Sequence, residues 1–137
     1  MDVDQVRDFV RGNSRAVVGT YRRDGRVQLT PVLVGVDDGG QLEISTHEAT
    51  AKAGNLRRDP RVSLCVFTDR FFGPWVQVDG SATILSLPEA MEPLVAYYRR
   101  VAGKEHPDWD DYRRAMERDR RCLIKISIER VVGEPEG

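Results

Sequence analysis

An α+β fold is predicted for this chain, with six strands in an antiparallel barrel and helices flanking it. Short runs of alternating apolar and polar residues are separated by turn signals, which is typical of strands joined by hairpins. The helical segments do not alternate regularly with the strands, which counts against a doubly wound parallel sheet. A length of 137 residues suits a single domain over residues 1–137.

The first predicted hairpin joins a strand over residues 16–21 to a long strand over residues 27–36. Asp24-Gly25 between them is a strong turn signal, because glycine tolerates the positive φ that a tight primed turn requires. Pro31 has no N–H group to donate to a ladder. The second strand is therefore expected at a sheet edge, or interrupted at that residue.

Four further strands are predicted at residues 41–46, 62–67, 75–85 and 122–131. In the strand over 75–85, the period of two places Val76 and Val78 on the face opposite Trp75. Helices are predicted over residues 4–12, 49–58, 86–101 and 109–118.

Two of these helices carry further sequence signals. Ser86 and Glu89 have the spacing of a capping box that opens the third helix. Trp109, Tyr112 and Met116 lie on one stripe of the fourth helix, as packing residues do.

Composition excludes several classes of function. The net charge of −1 comes from interspersed signs, so no basic face is expected and no nucleic-acid partner is predicted. The polar start and the strand-length apolar runs predict neither a signal peptide nor a membrane span. Cys65 and Cys122 are isolated in the sequence, which is typical of free thiols in a reducing cytosol, and the protein is expected to be cytoplasmic.

Motifs for metal binding and for covalent catalysis are missing from the sequence. His47 and His106 have no His, Cys or carboxylate at metal-ligand spacing, so no metal site is predicted. No GxSxG, Walker loop or GxGxxG occurs.

The segment from Thr46 to Pro60 is the most informative part of the sequence. A helix that begins after Thr46 offers unpaired N–H groups and a positive dipole end to an anion. Lys52 lies near that end, and Asn55 follows three positions later on the same face. A solvated basic helix face explains the same pattern, so both interpretations remain open at this level.

Three other residues are candidates with two interpretations each. Gln28 and Thr30 share one face of an interrupted strand, where they either meet a polar ring edge or face solvent. Trp75 follows Gly73-Pro74 at a strand entry, where it covers a cofactor ring, packs across a dimer interface or fills the core.

Five runs of residues resemble a known superfamily when taken in this order: VVGT at 17–20, DGRVQ at 24–28, KAGNLRRDPRVS at 52–63, VDGSA at 78–82 and WDDYR at 109–113. The chain resembles the pyridoxamine 5′-phosphate oxidase-like superfamily. More narrowly, it is similar to actinobacterial flavin/deazaflavin oxidoreductases that use coenzyme F420. The resemblance implies a split β-barrel homodimer with cofactor sites at the subunit interface.

The resemblance also implies roles for individual residues. Lys52 would contact the cofactor phosphate, with Asn55 near the same anchor. Gln28 and Thr30 would approach the flavin-like ring, and Trp75 would arrive from the partner subunit. The phosphate and tail region would be lined by Ser45, Thr46, Thr50 and Ala51. Arg57 and Arg58 would assist with a poly-glutamyl tail. Pro31 and Thr50 depart from residue types found in relatives.

The function implied is an F420-dependent reductase that transfers hydride from reduced deazaflavin to an electron-poor conjugated small molecule. An arginine-rich, lysine-poor composition is typical of GC-rich actinobacteria and favours F420 over FMN. The alternatives are an FMN-dependent pyridoxamine-phosphate-oxidase-like enzyme and a non-catalytic protein that binds or stores the cofactor.

Overall fold

The computed structural model describes residues 1–137 and confirms the α+β class. The elements follow in the order α1 (Val3–Gly12), β1 (Arg15–Tyr21), β2 (Val27–Leu33), β3 (Gly35–Val36), β4 (Leu42–His47), α2 (Ala51–Arg58), β5 (Arg61–Phe67), β6 (Trp75–Leu85), α3 (Met91–Ala102), α4 (Trp109–Arg118) and β7 (Arg121–Glu134). All strand pairs are antiparallel, in the order β2-β1-β5-β6-β7-β4-β3. No helix combines the length and the apolar composition that crossing a membrane requires.

The sheet has seven strands rather than the predicted six, because residues 27–36 are divided at Val34. The Val34 N–H donates to the Ser14 carbonyl oxygen at 2.7 Å. β2 pairs with β1 at one end of the strand order and β3 pairs with β4 at the other, so the sheet curls into a half-barrel. Pro31 lies inside β2, opposite Val17, in an edge strand that does not need its missing N–H. The predicted edge position is confirmed, whereas the interruption falls at Val34.

Two helices, α2 and α3, begin later than predicted. α2 begins at Ala51, two residues later than predicted, because Thr50 is its N-cap. α3 begins at Met91, and the predicted capping box at Ser86 is wrong. The Ser86 hydroxyl instead donates to Glu48 Oε1 at 2.7 Å, so it is not available to cap a helix. The bounds of α4 match the prediction, and those of α1 differ by one residue.

Local sequence signals account for the strands. Gly25 has φ of 84° in the turn between β1 and β2, which confirms the hairpin predicted from Asp24-Gly25. Along β6, Val76 and Val78 are fully buried and Trp75 is half-buried, as the period of two predicts. The inward faces of the strands form the main core together with Val6 and Val10 of α1.

A second, smaller core joins the two helices α3 and α4 to the sheet. It consists of Ala90, Leu94, Val95, Tyr97, Tyr112, Met116 and Leu123. Leu123 of β7 is fully buried in it, so α3 and α4 are held against the beginning of that strand. This arrangement brings the helices beside the open edge of the half-barrel.

The outward face of the β1–β2 hairpin is apolar and uncovered. We call it the outer apolar face; its residues are Val17, Gly19, Tyr21, Val27, Leu29, Pro31 and Leu33. Leu29 is 64% exposed, and a Cβ on Gly19 would meet Val27 and Leu29, which shows that these residues share one face. Contiguous exposed apolar surface of this kind marks interaction sites in folded proteins.

A buried charge cluster fixes the β3–β4 turn and α3 to the sheet. The Glu43 side chain is fully buried and accepts hydrogen bonds from Lys125 at 2.9 Å and from Arg100 at 2.8 Å. Lys125 also donates to Asp37 at 2.8 Å. Each buried carboxylate therefore has a cationic partner, which buried charges in proteins require.

Candidate functional site

A cavity of about 740 Å³ lies where β1 and β2 meet the three helices α2, α3 and α4. Its volume is within the range of ligand pockets, about 300–1,000 Å³. It is lined by Arg15, Ala16, Val17, Pro31, Val32, Leu33, Ser45, Lys52, Phe67, Tyr97, Tyr98, Tyr112, Met116 and Arg121. The lining is mostly apolar and aromatic, with a small number of polar groups.

Those polar groups are concentrated in what we call the cationic corner: Lys52, Arg121 and Ser45. Neither Lys52 nor Arg121 has a carboxylate oxygen within 4.0 Å. The Arg121 guanidinium donates one hydrogen bond, to Ser45 Oγ at 3.4 Å. Its Nε is buried without a hydrogen-bond partner and is the one buried side-chain polar atom of the chain in that condition. An unpaired buried donor is costly, so the corner lacks an acceptor.

The charges of the corner act on each other. Burial lowers the pKa of Lys52, and the positive charge of Arg121 lowers it further. Arg121 also acts on the more distant Asp119, whose pKa its charge helps to lower. Two cations that repel each other and have no carboxylate within 4.0 Å form a site suited to an external anion. The anion-site interpretation of this helix stays a prediction, as does the solvated-face interpretation.

Lys52 reaches the cavity because of how α2 begins. Thr50 Oγ1 accepts a hydrogen bond from the Ala53 N–H at 3.3 Å and lies 3.1 Å from Thr46 Oγ1. This cap places Lys52 second in the helix, where the N-terminal dipole end adds further positive potential. Ser45 and Lys52 line the cavity, and their contact with a cofactor stays a prediction. Thr46, Thr50 and Ala51 do not line it; the two threonines shape the helix start instead.

Arg121 was not among the residues predicted from the sequence. It is the first residue of β7 and pairs in register with His47 of β4, close to the strand residue Ser45. Arg120 before it adopts φ of 51°, a left-handed conformation that turns the chain from α4 into the strand. A lone arginine at a strand start has no sequence signature, and only the β4–β7 pairing brings it to the corner.

The aromatic wall of the cavity comes from α3 and α4. The Tyr97 hydroxyl donates to the Leu33 carbonyl oxygen at 2.7 Å, and the Tyr112 hydroxyl donates to the Leu94 carbonyl oxygen at 3.0 Å. Burial raises the pKa of both tyrosines to about 12, so both remain neutral at ordinary pH. Tyr112 was predicted as a packing residue; it does pack, as Tyr97 and Tyr98 do, and all three also line the cavity.

Three residues predicted as cofactor contacts make other contacts within the subunit and do not line the cavity. The buried Asn55 amide donates to Thr20 Oγ1 at 3.1 Å, so it ties α2 to β1 and does not face the cavity with Lys52. Gln28 accepts a hydrogen bond from Arg22 at 2.9 Å. Arg57 is paired with Glu48.

Thr30 lies beside the cavity-lining Pro31, with its half-buried side chain on the other face of β2. Trp75 pairs with Phe67 at the start of β6. Phe67 lines the cavity, whereas Trp75 does not. The roles of Thr30 and Trp75 in binding remain predictions, as do those of Asn55, Gln28 and Arg57.

The chain belongs to the pyridoxamine 5′-phosphate oxidase family, whose sequence profile matches residues 3–133. Solved structures agree with this assignment. The conserved hypothetical protein Rv2991 from Mycobacterium tuberculosis is 28% identical with a TM-score of 0.81, covering 98% of this chain and 85% of that one. An F420 reductase is 18% identical with a TM-score of 0.70, covering 91% of this chain and 94% of that one. HutZ, a heme storage protein from Vibrio cholerae, is 15% identical with a TM-score of 0.74, covering 100% and 98%.

Proposed function

We propose that this protein is an F420-dependent oxidoreductase that reduces an electron-poor conjugated small molecule. The observation that carries the proposal is the cavity itself, which combines two cations that have no carboxylate within 4.0 Å with aromatic and aliphatic walls. A flavin-type cofactor has the complementary parts, a phosphate and a flat ring system. When bound, reduced deazaflavin supplies a hydride.

The residues of the cavity fit such a cofactor. Lys52 and Arg121 would hold the phosphate, and the unpaired Arg121 Nε would gain the acceptor that it lacks. Pro31, Val32 and Tyr97 belong to the apolar walls, which exclude water from a ring placed between them. The chain would bind and orient the cofactor without a covalent nucleophile, in keeping with Tyr97 and Tyr112, whose hydroxyls are neutral and hydrogen-bonded.

Two observations favour F420 over FMN. One neighbour of the same fold is an F420 reductase. The composition is also arginine-rich: of 21 Lys and Arg residues, the lysines are Lys52, Lys104 and Lys125. An FMN-dependent enzyme is the first alternative, since the family takes its name from pyridoxamine 5′-phosphate oxidase. A non-catalytic binding protein is the second, since a heme storage protein shares the fold.

We also propose that two copies of the chain associate through the outer apolar face. Val17, Pro31 and Leu33 belong both to that face and to the cavity lining, so a copy placed there would cover the cavity. A second groove of about 400 Å³ continues along the same face past Val27 and Leu29. A twofold dimer with self-complementary faces is the commonest way to cover such a surface. Trp75 from the partner would then have access to the cavity, as the family resemblance implies.

A titration of the cofactor-free protein tests the proposal. Fluorescence of F420 and of FMN is followed as protein is added, and turnover of the F420-loaded protein is measured with quinones, enones and nitroaromatics. Micromolar or tighter F420 binding with turnover supports the proposed function. FMN binding without F420 binding would reject it in favour of the first alternative. Tight F420 binding without turnover would favour the second.

A further inference from the structure

Two aromatic side chains in the loop between β5 and β6 are the most exposed large apolar groups of the chain. Phe72 is 92% exposed and Phe71 is 79% exposed, and their rings are in edge-on contact with centroids 5.1 Å apart. We call these two residues the aromatic pair. Their exposure is costly because it keeps a contiguous apolar surface in water, and such surfaces mark interaction sites.

The loop holds the aromatic pair in a defined conformation. The Gly73 N–H donates to the Arg70 carbonyl oxygen at 2.8 Å, and the Thr68 hydroxyl donates to the same oxygen at 3.1 Å. A Cβ on Gly73 would lie 2.9 Å from that oxygen, so the turn requires glycine at this position. Apolar groups that are ordered before they dock lose little entropy on docking, which favours association.

Asp69 places the base of this loop on the same side of the sheet as the outer apolar face. It accepts a hydrogen bond from Arg15 at 2.7 Å, and Arg15 shares one face of β1 with Val17, two positions further on. The groove of about 400 Å³ along the outer apolar face lies on that side too, and we call it the outer groove. Its lining residues are Val17, Gly19, Tyr21, Val27, Leu29, Ser63, Leu64, Cys65 and Gln77.

The outer groove has the size and the apolar character that the aromatic pair needs. Gly19 keeps it open, because a Cβ there would lie 3.1 Å from Val27 and 3.4 Å from Leu29. A cavity of about 150 Å³ holds one benzene ring, so two phenyl rings need roughly 300 Å³. The groove of about 400 Å³ therefore has room for both rings. The exposure of the pair shows that it does not fill the groove of its own chain.

A stable dimer needs more contact area than the β1–β2 hairpin alone provides. Each of its two strands has seven residues, so the hairpin face measures roughly 23 Å by 10 Å, or about 230 Å² in projection. A specific interface buries about 800 Å² on each partner. Phenylalanine side chains bury roughly 150–250 Å² each, so the aromatic pair and a groove that receives it supply a large part of the difference.

We infer that the aromatic pair of each copy docks in the outer groove of the other copy. The inference rests on the association of two copies proposed above. A twofold axis between the pair and the groove brings each pair over the partner's groove, so the same contact forms twice. The exposed ion pair of Arg15 and Asp69 would belong to the polar rim of this contact. The loop follows Phe67, which lines the cavity, so docking of the pair would also fix one rim of the cavity.

Disulfide trapping tests the inference with a cysteine that the outer groove already contains. Cys65 lines the groove, whereas Cys122 is fully buried. Phe72→Cys is oxidised with copper phenanthroline, separated by non-reducing electrophoresis, and its linked peptides are identified by mass spectrometry. We expect a covalent dimer joined through Cys65, and none in the wild type or in Phe72→Cys/Cys65→Ser. Glu89→Cys, at an exposed position of the Ser86–Ala90 turn, is the matched control and should form no link to Cys65.

Sedimentation equilibrium gives a second measurement. Phe71→Ser/Phe72→Ser should raise the dimer Kd on the order of 100-fold, with unchanged circular dichroism. An unchanged Kd in that variant would overturn the inference. In Phe72→Cys, the absence of a disulfide, a disulfide within one chain, or a covalent dimer that persists with Cys65→Ser would overturn it as well.

The oligomeric state of the wild type separates this inference from the association on which it rests. A monomeric wild type would reject the association and the inference together. A dimeric wild type in which Phe72→Cys forms no link to Cys65 would overturn the inference and leave the association standing.

Discussion

Lys52 and Arg121 line the same corner of one cavity, and neither has a carboxylate within 4.0 Å. The first belongs to the opening turn of α2 and the second to the first position of β7. Other arginines and lysines of the interior are paired, as Lys125 and Arg100 are with Glu43. This exception is the basis for the proposed anion site at the cavity.

Removal of the Lys52 charge should not destabilise the ligand-free protein. Lys52→Met keeps the length of the side chain and relieves both its desolvation and its repulsion with Arg121. We expect the free energy of unfolding to stay equal or to rise by up to about 1 kcal/mol. Urea unfolding followed by tryptophan fluorescence measures it. A clear loss of stability would show that Lys52 has a structural partner.

Cofactor affinity should depend on pH through Lys52. Burial and the charge of Arg121 lower its pKa below the usual 10.5, so Lys52 loses its proton earlier than an exposed lysine. The charged form binds the phosphate, so affinity should be constant below that pKa and should fall as the pH rises through it. The difference between wild type and Lys52→Met isolates this effect from titration of the cofactor. Parallel pH profiles for the two proteins would contradict it.

The buried charge cluster predicts a large loss of stability in Lys125→Met. Glu43 is fully buried and would keep only Arg100 as a partner, while Asp37 would lose its ion pair. We expect a loss of about 3–5 kcal/mol, the range for breaking a buried pair. Lys104→Met, at an exposed lysine, is the control and should leave the Tm unchanged. Equal Tm values for the two variants would show that the buried charge cluster does not stabilise the fold.

The same cluster predicts acid sensitivity. Burial tends to raise the pKa of Asp37, but hydrogen bonds from Lys125 and from the backbone outweigh it and hold that pKa below the usual 3.8. A carboxyl with a depressed pKa stabilises the fold above its unfolded pKa, and this stability is lost as the pH falls below about 3.8. Asp37→Asn should therefore be less stable than wild type at neutral pH, with a difference that shrinks below that pH. Chemical denaturation of both proteins at several pH values measures the sign of the stability difference and the pH range over which it shrinks.

Association through the outer apolar face is tested by Leu29→Arg. Leu29 is 64% exposed, so a charge there costs little in the isolated chain and is costly in an interface. We expect a dimeric wild type, a monomeric Leu29→Arg with unchanged circular dichroism, and weaker cofactor binding by that variant. Sedimentation equilibrium measures the mass. Glu89→Arg, at an exposed position of the Ser86–Ala90 turn, should remain dimeric, and a monomeric wild type would reject the interface.

Local signals in the sequence predicted local structure well. Asp24-Gly25 specified a hairpin because the turn depends on two residues, and the burial of Val76 and Val78 follows from the period of two along a strand. The Ser86 prediction was wrong because a distant residue, Glu48, binds the hydroxyl that a cap would need. The division of residues 27–36 depends on the closure of the half-barrel, which no local pattern encodes.

In the candidate site, too, local sequence patterns predicted some residues, whereas others are placed by contacts between segments that are distant in the sequence. Lys52 was found because a helix start and a basic residue lie together in the sequence. Arg121 was missed because its place in the corner depends on the pairing of β4 with β7. Asn55 was placed near Lys52 from its spacing and from the family resemblance; its amide donates to Thr20 because α2 packs on β1, and its role in binding stays a prediction. Which face of a helix meets a cavity is decided by tertiary packing.

The central claim is that the Lys52–Arg121 corner binds the cofactor phosphate. Equilibrium titration of F420 at fixed ionic strength, with wild type, Lys52→Ala, Arg121→Met and Lys104→Ala, tests it most directly. Lys52→Ala and Arg121→Met should each weaken binding by about 1.5–3 kcal/mol, the range for a hydrogen bond to a charged group. Lys104→Ala should bind as the wild type does. Wild-type affinity in both Lys52→Ala and Arg121→Met would contradict the account.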